Sequence, residues 1–519
     1  MNEHPGYNAQ TTPPTELDLD EDSSWDRLWL ISITLLVFSA ILTVTSRTVV
    51  DADLWGHLRF GLDNIQAGTI IQTDPYSYLT AGVRWINHEW LAEVAFGLAW
   101  MAAGTTGLIL LKTTIGISTL GIIFLYLRSL GAPVIRASVL VILGWIGILT
   151  AIATVRPHMF TLLFSTLTFL IIAKAEQGNY RWLWAAPVVM LLWINFHGGV
   201  LAGMGFLGIW AVVHLVIQRK QWRMIVPPVI LSALALLINP YGLELVTFLL
   251  RTATVSRPEI IEWQPIDLVS LLGFIYLVFL VIMILGLIVS KIKKRVPILV
   301  LLCVAALLPF VAFRHLPLFA LAILVLGGEY LLDAWSQINP PAPVHKTRPR
   351  KMSIVSLVIG LVLCVWSLPN FQRIVIPNQP EPFFPDRAVS LIVESGAAGN
   401  LAVEFNWGQY VLWHLGPEVQ VSMDGRRETV YSEEIYQINQ NFVNGTGDWD
   451  EVLDDYETHM ALVYQTRASR NLMQYKEGWE LLYEDPTSAL FASPDWSGFT
   501  SLKDTISRAP EPPTKDYFP

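Results

Sequence analysis

The sequence predicts a polytopic α-helical membrane protein that carries a C-terminal extracytoplasmic α/β domain. Hydrophobic residues make up 53% of the 519 residues and charged residues only 15%, and the mean hydropathy is +0.47. A soluble chain of this length has no core large enough for so much apolar surface. The long apolar runs stop at Leu368, and the chain beyond it mixes helical and strand periodicities.

The first apolar run follows an acidic N-terminal segment. Residues 1–27 contain the acidic run Leu17–Asp22 and lack the basic start of a cleaved signal peptide. We therefore expect residues 1–27 to be a disordered cytoplasmic tail and Leu28–Thr45 to remain as an uncleaved span.

Apolar runs recur through residues 28–368 and predict about eleven spans. Several runs are shorter than the roughly 20 residues of an ideal span, so their ends are approximate. The predicted spans are Leu28–Thr45, Thr106–Leu127, Val134–Ala153, Met159–Ala173, Trp182–Ile194, Val200–Ile217, Met224–Ile238, Leu268–Val289, Pro297–Ala312, Pro317–Leu332 and Ser353–Leu368.

Two kinds of connector alternate between these spans, one basic and one polar. By the positive-inside rule the basic connectors are cytoplasmic, which places the N-terminus inside and the C-terminal domain outside. The alternation holds only if His88–Ala103 does not cross the membrane. We expect that segment to lie in the interface as an amphipathic helix, within a first external loop of residues 46–105. The basic connectors are Arg128/Arg136, Lys174/Arg181, Arg219–Arg223, Lys291–Arg295 and His345–Lys351.

The soluble part begins after a Pro-rich linker, residues 369–385. Residues 386–495 predict a small α/β domain whose first helix runs from Asp386 to Ser395. Residues 496–519 are expected to form a tail. The predicted strands are Leu401–Phe405, Val419–Met423, Met460–Tyr464, Glu480–Tyr483 and Ala489–Ala492.

One charged sequence in this domain, Asp424-Gly-Arg-Arg427, follows a predicted strand. Asp-Gly pairs are common turn formers, so the sequence predicts a solvated turn with exposed charges rather than a functional cluster.

Composition argues against nucleic-acid binding and against structural roles for cysteine. No basic block of the kind that binds nucleic acid is present, so nucleic acid is not an expected partner, whereas membrane lipid is. Cys303 and Cys364 both lie inside apolar segments, so neither a disulfide framework nor a cysteine metal site is expected.

Polar motifs gather on the predicted external face. Asp51 and Asp53 follow the first span directly, and ionisable groups at a membrane boundary usually mark chemistry or transport because they are costly to keep there. Further motifs lie at external span ends, and they are Arg156-Pro-His158, Asn195-Phe-His197, Asn239-Pro-Tyr241, the Glu259/Glu262 loop and Arg314-His315.

A first span, an acidic external loop, many further spans and a soluble tail together resemble the GT-C superfamily of membrane glycosyltransferases. The resemblance covers Leu28 to about Leu332 well and the C-terminal domain only loosely. Three sequences in the loop are similar to a bacterial subfamily whose reactions are mostly unassigned, and they are Asp51-x-Asp53-Leu-Trp-x-His57-x-x-x-Gly61, Thr73-Asp74-Pro75-Tyr-Ser77 and Trp85-x-x-His88-Glu89-Trp90.

The resemblance implies a GT-C-like fold in a bacterial plasma membrane, with interfacial helices at Leu54–Ile65 and Glu89–Ala103. It implies transfer of a sugar from a polyprenyl-phosphate-linked donor to an extracytoplasmic acceptor, which is a glycan, a lipid or a protein. In GT-C enzymes an acidic residue of the first external loop serves as general base, and the match places that role on Asp51 or Asp53.

The departing phosphate needs a cation or a metal beside it. Arg156 and Arg314, with the neighbouring His158 and His315, are the candidates, because the planar guanidinium suits phosphate oxygens.

The loop that carries Arg251 and Arg257 is expected to face the lipid donor. The residues expected to support the site are His57, His88, Glu89, Asn195, His197, Asn239, Tyr241 and Glu262.

Each candidate also has a purely structural interpretation. Arg156 and Arg314 could extend to lipid headgroups, and Asn195, His197 and Asn239 could satisfy broken helix ends. The tryptophans Trp55, Trp85 and Trp90 are interpreted as interface anchors rather than sugar platforms.

A divalent metal is conceivable with Asp51, Asp53, His57 and His88 as ligands. Their spacing matches no closed-site template, so the sequence leaves the metal and any cofactor open.

Two functions compete with sugar transfer. A non-catalytic scaffold or assembly protein could keep the same architecture, because fold does not fix function. A lipid or sugar transporter would usually place ionisable residues mid-membrane in two similar halves, and neither feature is evident in the sequence.

Overall fold

Long apolar helices dominate the chain as far as Ser367, and a small α/β domain follows. The computed structural model describes residues 16–253, 255, 261–340, 350–377, 383–508 and 517–519. The predicted donor-facing Arg257, the loop residue Glu259 and most of the basic connector His345–Lys351 lie outside those residues.

The α-helices of the membrane part are α1 (Glu16–Thr45), α2 (Leu54–Ala67), α3 (Trp90–Ser129), α4 (Val134–Ile148), α5 (His158–Glu176), α6 (Ala186–Phe196), α7 (Val200–Ile217), α8 (Trp222–Ala235), α9 (Leu243–Thr252), α10 (Leu271–Val289), α11 (Val296–Leu307), α12 (Leu316–Val325), α13 (Gly328–Ile338) and α14 (Arg350–Ser367). Short 3-10 turns lie between several of them, and those at residues 261–263 and 313–315 matter for the site.

Every predicted span coincides with helix, but the helices differ in length. In the described part of the chain, six helices are long and apolar enough to cross a membrane: those at residues 26–45, 90–129, 158–176, 200–217, 271–289 and 350–372. A seventh span results if α12 and α13, which meet at a bend of 61°, are counted together. The other predicted spans fall on the shorter helices α4, α6, α8 and α11. The total of eleven therefore stays a prediction.

The helix α3 is interrupted at Ala103 and Gly104. Gly104 has φ +56° and ψ −139°, a conformation that a side chain would strain. The break falls at the residue where the sequence separates the predicted interfacial segment from the second span. The α2 helix likewise begins at Leu54, as expected for the first interfacial helix.

The first and last spans are joined where they leave the bundle. Strand β1 (Thr48–Val49) pairs in parallel with β2 (Ile374–Val375). The predicted linker is therefore partly ordered, and it fixes the start of the first external loop beside the entry to the C-terminal domain.

The C-terminal domain has a five-stranded sheet. Strands β3 (Gly399–Val403), β4 (Val419–Val421), β5 (Met460–Tyr464), β6 (Glu480–Glu484) and β7 (Ser488–Ala492) are arranged in the order β4-β3-β5-β7-β6. The β4, β3 and β5 strands are parallel, whereas β7 is antiparallel to both β5 and β6.

Helices cover this sheet, and they are α15 (Asp386–Ser395), α16 (Phe405–Leu415), α17 (Arg427–Val430), α18 (Glu433–Asn444), α19 (Glu451–Asp454), α20 (Ala468–Met473) and α21 (Phe499–Arg508). The prediction for α15 is confirmed, and the five strands were all expected. The first strand ends earlier than predicted, because Phe405, whose side chain extends the apolar run, already begins α16.

The two predicted tails contain ordered structure. Residues 16–27 continue the first helix to Glu16, so the predicted boundary at residue 27 is wrong for that part. Near the other terminus, Phe518 is 4% exposed and packs against Trp55, Trp100 and Trp413, with ring centroids 5.4, 5.6 and 6.3 Å away. Its aromatic ring explains this, because it fills an apolar gap between the loop and the domain.

The first external loop extends the edge of the domain's sheet. The backbone N–H of Tyr78 donates to the carbonyl of Val421, and the N–H of Val421 donates to the carbonyl of Tyr76, each at 3.1 Å. The hydroxyl of Ser77 donates to the carbonyl of Ser422 at 2.9 Å. Since β4 is an edge strand, the Thr73–Ser77 sequence serves to dock the loop onto the domain.

Candidate active site

The two carboxylates that follow the first span lie at the start of α2. Asp53 immediately precedes α2, but its side chain does not cap the helix. The carboxylate of Asp51 instead accepts the backbone N–H of Asp53 at 3.1 Å. Both side chains are half-buried, with 22% and 25% of their surface exposed, so they are accessible to a ligand.

A single guanidinium joins these acids to the segment between α9 and α10. Nη2 of Arg156 donates to Oδ2 of Asp53 at 2.5 Å, and Nε lies 3.4 Å from Oδ1 of Asp51. Nη1 donates to Glu262 at 3.0 Å, in the 3-10 turn at residues 261–263. Three carboxylates around one cation leave the cluster with a formal charge of about −2 when all are ionised.

A second, more buried cluster lies between α2 and α3. Nδ1 of His57 is 3.1 Å from Oε1 of Glu93, and Nε2 is 3.9 Å from Glu89. Close packing of the two helices allows this, because a β-carbon at Gly61 would lie only 2.0 Å from the carbonyl oxygen of Glu93. Asn87 completes the cluster by donating to the other oxygen of Glu93 at 2.5 Å. The glycine of the loop motif is therefore explained by helix packing.

Glu89 is shared by several histidines. His88 and His197 lie 3.7 and 3.4 Å from its Oε1, in addition to His57 near its Oε2. Nδ1 of His197 accepts the backbone N–H of Gly199 at 2.9 Å, so the ring proton is assigned to Nε2, which faces Glu89. The described geometry thus brings the predicted supporting residues His57, His88, Glu89 and His197 together around one carboxylate.

The ionisation of these groups follows from burial and charge. Burial raises the pKa of Asp53 to about 6 with help from Asp51, against the opposing charge of Arg156. Burial alone would lower the pKa of His57, but its hydrogen bond with Glu93 and the charge of Glu89 raise that pKa to about 9. At neutral pH, Asp53 is mostly ionised and His57 carries a proton.

The pKa values of Glu89 and His197 are lowered instead. Burial opposes the shift, but the charges of His88 and His57 hold the pKa of Glu89 at about 2. Burial lowers the pKa of His197 to about 3, and the charge of Arg314 adds to this despite Glu89. His197 is therefore a neutral hydrogen-bonding group at any physiological pH.

The C-terminal domain forms one wall of the acid cluster. A β-carbon at Gly425 would lie 2.6 Å from Oδ1 of Asp53 and 2.6 Å from Nε2 of Gln409. On its other side, Gln409 packs against Gly56 in the first turn of α2. The amide oxygen of Gln409 has no hydrogen-bond partner among the residues that the structure describes.

The predicted solvated turn is wrong. Asp424 is fully buried and Arg426 is 6% exposed. Nη2 of Arg426 donates to Asp424 at 2.6 Å, and Nη1 lies 2.8 Å from Asp74 of the first external loop. The guanidinium also lies 4.8 to 6.0 Å from the ring centroids of Phe60, Tyr76, Trp85 and Tyr431. The turn is buried because it joins two parts of the chain that are far apart in sequence.

The other predicted phosphate ligands are less central. Nε2 of His158 lies 2.8 Å from the carbonyl of Ala151, and His315 is half-buried in the turn at residues 313–315. The guanidinium of Arg314 lies 4.6 Å from the ring centroid of Trp263. Because Trp263 follows Glu262, both the Arg314 turn and Arg156 contact the turn at residues 261–263.

Three predicted supporting residues have local structural roles. The amide of Asn195 accepts from Trp90 and donates to the carbonyls of Leu191 and Ile238. Asn239 closes its own turn by accepting the backbone N–H of Tyr241 at 2.8 Å.

The hydroxyl of Tyr241 in turn accepts the backbone N–H of Asn87 at 3.0 Å, which fixes the segment before Glu89. Trp55 and Trp85 are also structural, since they are 0% and 2% exposed and so cannot anchor at a membrane interface.

The predicted metal ligands do not form one set. In the described chain, the group whose ligand atoms all lie within 4.8 Å of one another is His57, Glu89 and Glu93. Here the imidazole of His57 lies between the two carboxylates, 3.1 Å from Glu93 and 3.9 Å from Glu89, and a metal would have to displace its proton. Of the four predicted ligands, this group therefore contains His57 alone.

Sequence reasoning missed the contributions of Glu93, Gln409 and Gly425. Glu93 could have been found from its spacing, because residues one helical turn apart lie on the same face and Glu93 therefore lies beside Glu89. No local pattern marks Gln409 or Gly425, because their partners Asp53 and Gly56 lie far away in the sequence.

Several solved structures share this architecture. No protein-family model matches the sequence, and no curated protein matches it. The Archaeoglobus fulgidus oligosaccharyltransferase AglB, in complex with an inhibitory peptide and a dolichol-phosphate, superposes with a TM-score of 0.54 at 11% identity, covering 90% of this chain and 74% of AglB. A mutant of the arabinofuranosyltransferase AftD from Mycobacteria gives 0.53 at 15% identity, covering 90% of this chain and 41% of AftD.

The apo form of ArnT from Cupriavidus metallidurans gives a TM-score of 0.50 at 11% identity, covering 93% of this chain and 99% of ArnT. At such low identities the likeness establishes the fold and leaves the reaction to the site itself. The predicted GT-C-like membrane fold with a C-terminal sheet-containing domain is confirmed.

Proposed function

We propose that this protein is a membrane glycosyltransferase that moves a sugar from a polyprenyl-phosphate-linked donor to an extracytoplasmic acceptor, with Asp53 as general base. The observation that carries the proposal is the half-buried cluster in which Arg156 joins Asp51 and Asp53. It combines a proton acceptor and a phosphate-binding cation at the membrane boundary.

The proposed reaction is a single displacement with inversion. The acceptor hydroxyl oxygen bonds to the anomeric carbon of the donor sugar while the bond from that carbon to the phosphate oxygen breaks. Asp53 takes the hydroxyl proton, and the polyprenyl phosphate leaves with the bonding electron pair. A pKa of about 6 suits this role, because the carboxylate is ionised at neutral pH and still basic enough to accept a proton.

Asp51 is the alternative base, since it shares Arg156 with Asp53. Arg156 contacts one oxygen of each carboxylate, so we assign the base to Asp53 on a different ground: burial raises its pKa to about 6, which suits a proton acceptor. Asp51 is assigned to orient Arg156 through their ion pair, in which its negative charge offsets part of the guanidinium charge.

Arg156 and Arg314 are proposed to hold the leaving phosphate. A bidentate guanidinium is suited to phosphate oxygens, and a fixed cation stabilises the charge that develops on them. Since Arg156 already contacts Glu262, which is 47% exposed, the phosphate would replace that carboxylate.

The cellular setting is part of the proposal. The alternation of basic and polar connectors supports a cytoplasmic N-terminus, and the resemblance of the loop sequences to a bacterial subfamily supports a bacterial plasma membrane. The acid cluster and the C-terminal domain then share the external face.

The base assignment is tested by product formation from a radiolabelled polyprenyl-phosphate sugar. Asp53→Asn keeps shape and hydrogen bonding but removes basicity, so the rate should fall by roughly 10²- to 10⁴-fold. Asp51→Asn should have a smaller effect. Asp504→Asn, in an exposed helical ion pair, is the matched control and should keep the wild-type rate. Full turnover in both loop variants would refute a catalytic role for either acid and favour the scaffold alternative.

The phosphate assignment is tested by binding of the polyprenyl phosphate itself. Arg156→Gln and Arg314→Gln should each weaken binding by about tenfold, the value of one charged hydrogen bond. Arg84→Gln, which removes an exposed arginine of the first external loop, should not. Unchanged affinity in both site variants would assign these arginines to lipid headgroups.

A further inference from the structure

The helices α2 and α16 form a seam that starts at the acid cluster. At the start of α2, a β-carbon on Gly56 would lie 2.3 Å from the side chain of Gln409. Further along, Nη1 of Arg59 donates to the carbonyl of Gly416 at 3.1 Å. Because both contacts advance in the same order, the two helices run in the same direction from the Asp53 end of the seam to Gly416.

A cavity of about 460 Å³ opens at the far end of this seam. Its walls come from α2, from the rest of the first external loop and from the C-terminal domain, and include Gln66, Pro75 and Pro417. The volume is within the range of small-molecule sites, about 300–1,000 Å³. Asp63 in its wall lies ten residues beyond Asp53, which is about 15 Å along a helix axis.

The polar side chains of this cavity are fixed by hydrogen bonds, yet some of their donor and acceptor atoms have no partner among the described residues. Oδ2 of Asp63 accepts from Nε of Arg59 at 2.8 Å and from the hydroxyl of Tyr76 at 2.9 Å. Among the described residues, Oδ1 of Asp63 and Nη2 of Arg59 have no hydrogen-bond partner. Gln420 donates to the carbonyl of Pro75 at 3.1 Å, which leaves its amide oxygen for a ligand.

These groups match a sugar better than an ion. Each sugar hydroxyl both donates and accepts a hydrogen bond, and the cavity offers a carboxylate oxygen, a guanidinium N–H and two glutamine amides, Gln66 and Gln420. The one cation, Arg59, is paired with the one anion, Asp63, so the wall has no net charge to attract a phosphate. Proline and aliphatic side chains supply apolar surface for the C–H faces of a sugar ring.

We infer that this cavity, named here the seam groove, binds a neutral sugar unit of a glycan acceptor whose reacting end lies at Asp53. The inference rests on the proposed transfer reaction and specifies its acceptor as an oligosaccharide. A chain of a few sugars spans the distance from the seam groove to Asp53, so the C-terminal domain contributes to acceptor selection.

The test is direct binding by the full chain in lipid nanodiscs. The probes are immobilised neutral oligosaccharides, at least three units long, of glucose, mannose, galactose, arabinose or N-acetylglucosamine. Ala67 lines the seam groove and is exposed, and it takes no part in the Asp63 network. Ala67→Trp should fill the groove and lower affinity at least about tenfold, whereas Ala67→Ser leaves the space open and should bind normally. Gln66→Ala should weaken binding without affecting the fold.

Two outcomes would overturn the inference: no probe binds to the wild type, or Ala67→Trp binds as well as Ala67→Ser. Asp53→Asn separates this test from that of the reaction, since it should bind the oligosaccharide normally and lose transfer. Oligosaccharide binding with no dependence of transfer on Asp51 or Asp53 would refute the proposed function and leave the seam groove as a carbohydrate site. Transfer that requires Asp53, with no oligosaccharide bound, would refute the seam groove alone.

Discussion

The carboxylate of Asp53 lies directly against the backbone of Gly425, with only 2.6 Å between Oδ1 and the position of a β-carbon on that glycine. Asp53 belongs to the membrane part and Gly425 to the C-terminal domain. Any side chain at residue 425 therefore pushes on the candidate base, and the domain is a component of the site rather than an appendage.

Gly425→Ala should lower the rate of sugar transfer by about 10- to 100-fold, because a displaced Asp53 loses its alignment with Arg156 and with the acceptor. Initial rates measured with the purified full chain would test this. Gly208→Ala is the matched control, since a β-carbon there contacts nothing within 4 Å. Equal rates in the two variants would show that Asp53 does not depend on the turn.

Arg426 is expected to dominate the stability of the contact between loop and domain. Arg426→Met leaves the buried Asp74 and Asp424 without their cation, which costs about 3–5 kcal/mol. Lys503→Ala breaks an exposed pair with Glu480 and should cost at most about 1 kcal/mol. The midpoint of denaturant unfolding, followed by tryptophan fluorescence, would distinguish them. Similar midpoints for both variants would contradict a stabilising role for Arg426.

The transfer rate should have a bell-shaped dependence on pH. Asp53 must be ionised to accept a proton, so the rate should fall as the pH drops below the Asp53 pKa of about 6. His57 loses its proton as the pH rises through about 9, which leaves Glu89 and Glu93 without their shared cation. The site then becomes more negative and the anionic donor binds less well, so the rate should fall again.

Rates at donor concentrations well below saturation, between about pH 5 and 10, would report these two apparent values for the coupled cluster, because such rates depend on donor binding as well as on proton transfer. His57→Gln should remove the alkaline limb and keep the acid limb. An alkaline limb that persists in His57→Gln would assign it to another group.

The sequence predicted the apolar helices and the strands well because both depend on local periodicity. Met460–Tyr464 and the helix Asp386–Ser395 were expected with the bounds observed. It also predicted that Asp51, Asp53 and Arg156 share one face, since span parity decides that. The turn at Asp424 was misjudged because its burial depends on Asp74 and Trp85, and no local pattern encodes a contact so distant in sequence.

The orientation in the membrane is the remaining prediction, and it decides which face carries the site. The positive-inside rule places the first external loop and the C-terminal domain outside and the Lys291–Arg295 connector inside. Single cysteines in a chain without Cys303 and Cys364 would test this in intact cells with an impermeant thiol reagent.

Thr69→Cys and Glu457→Cys, both at exposed positions, should be labelled. Lys293→Cys, also exposed, should react only after the membrane is permeabilised. Labelling of only one of the two external positions, or of Lys293→Cys in intact cells, would contradict the predicted orientation and move the acid cluster away from an extracytoplasmic acceptor.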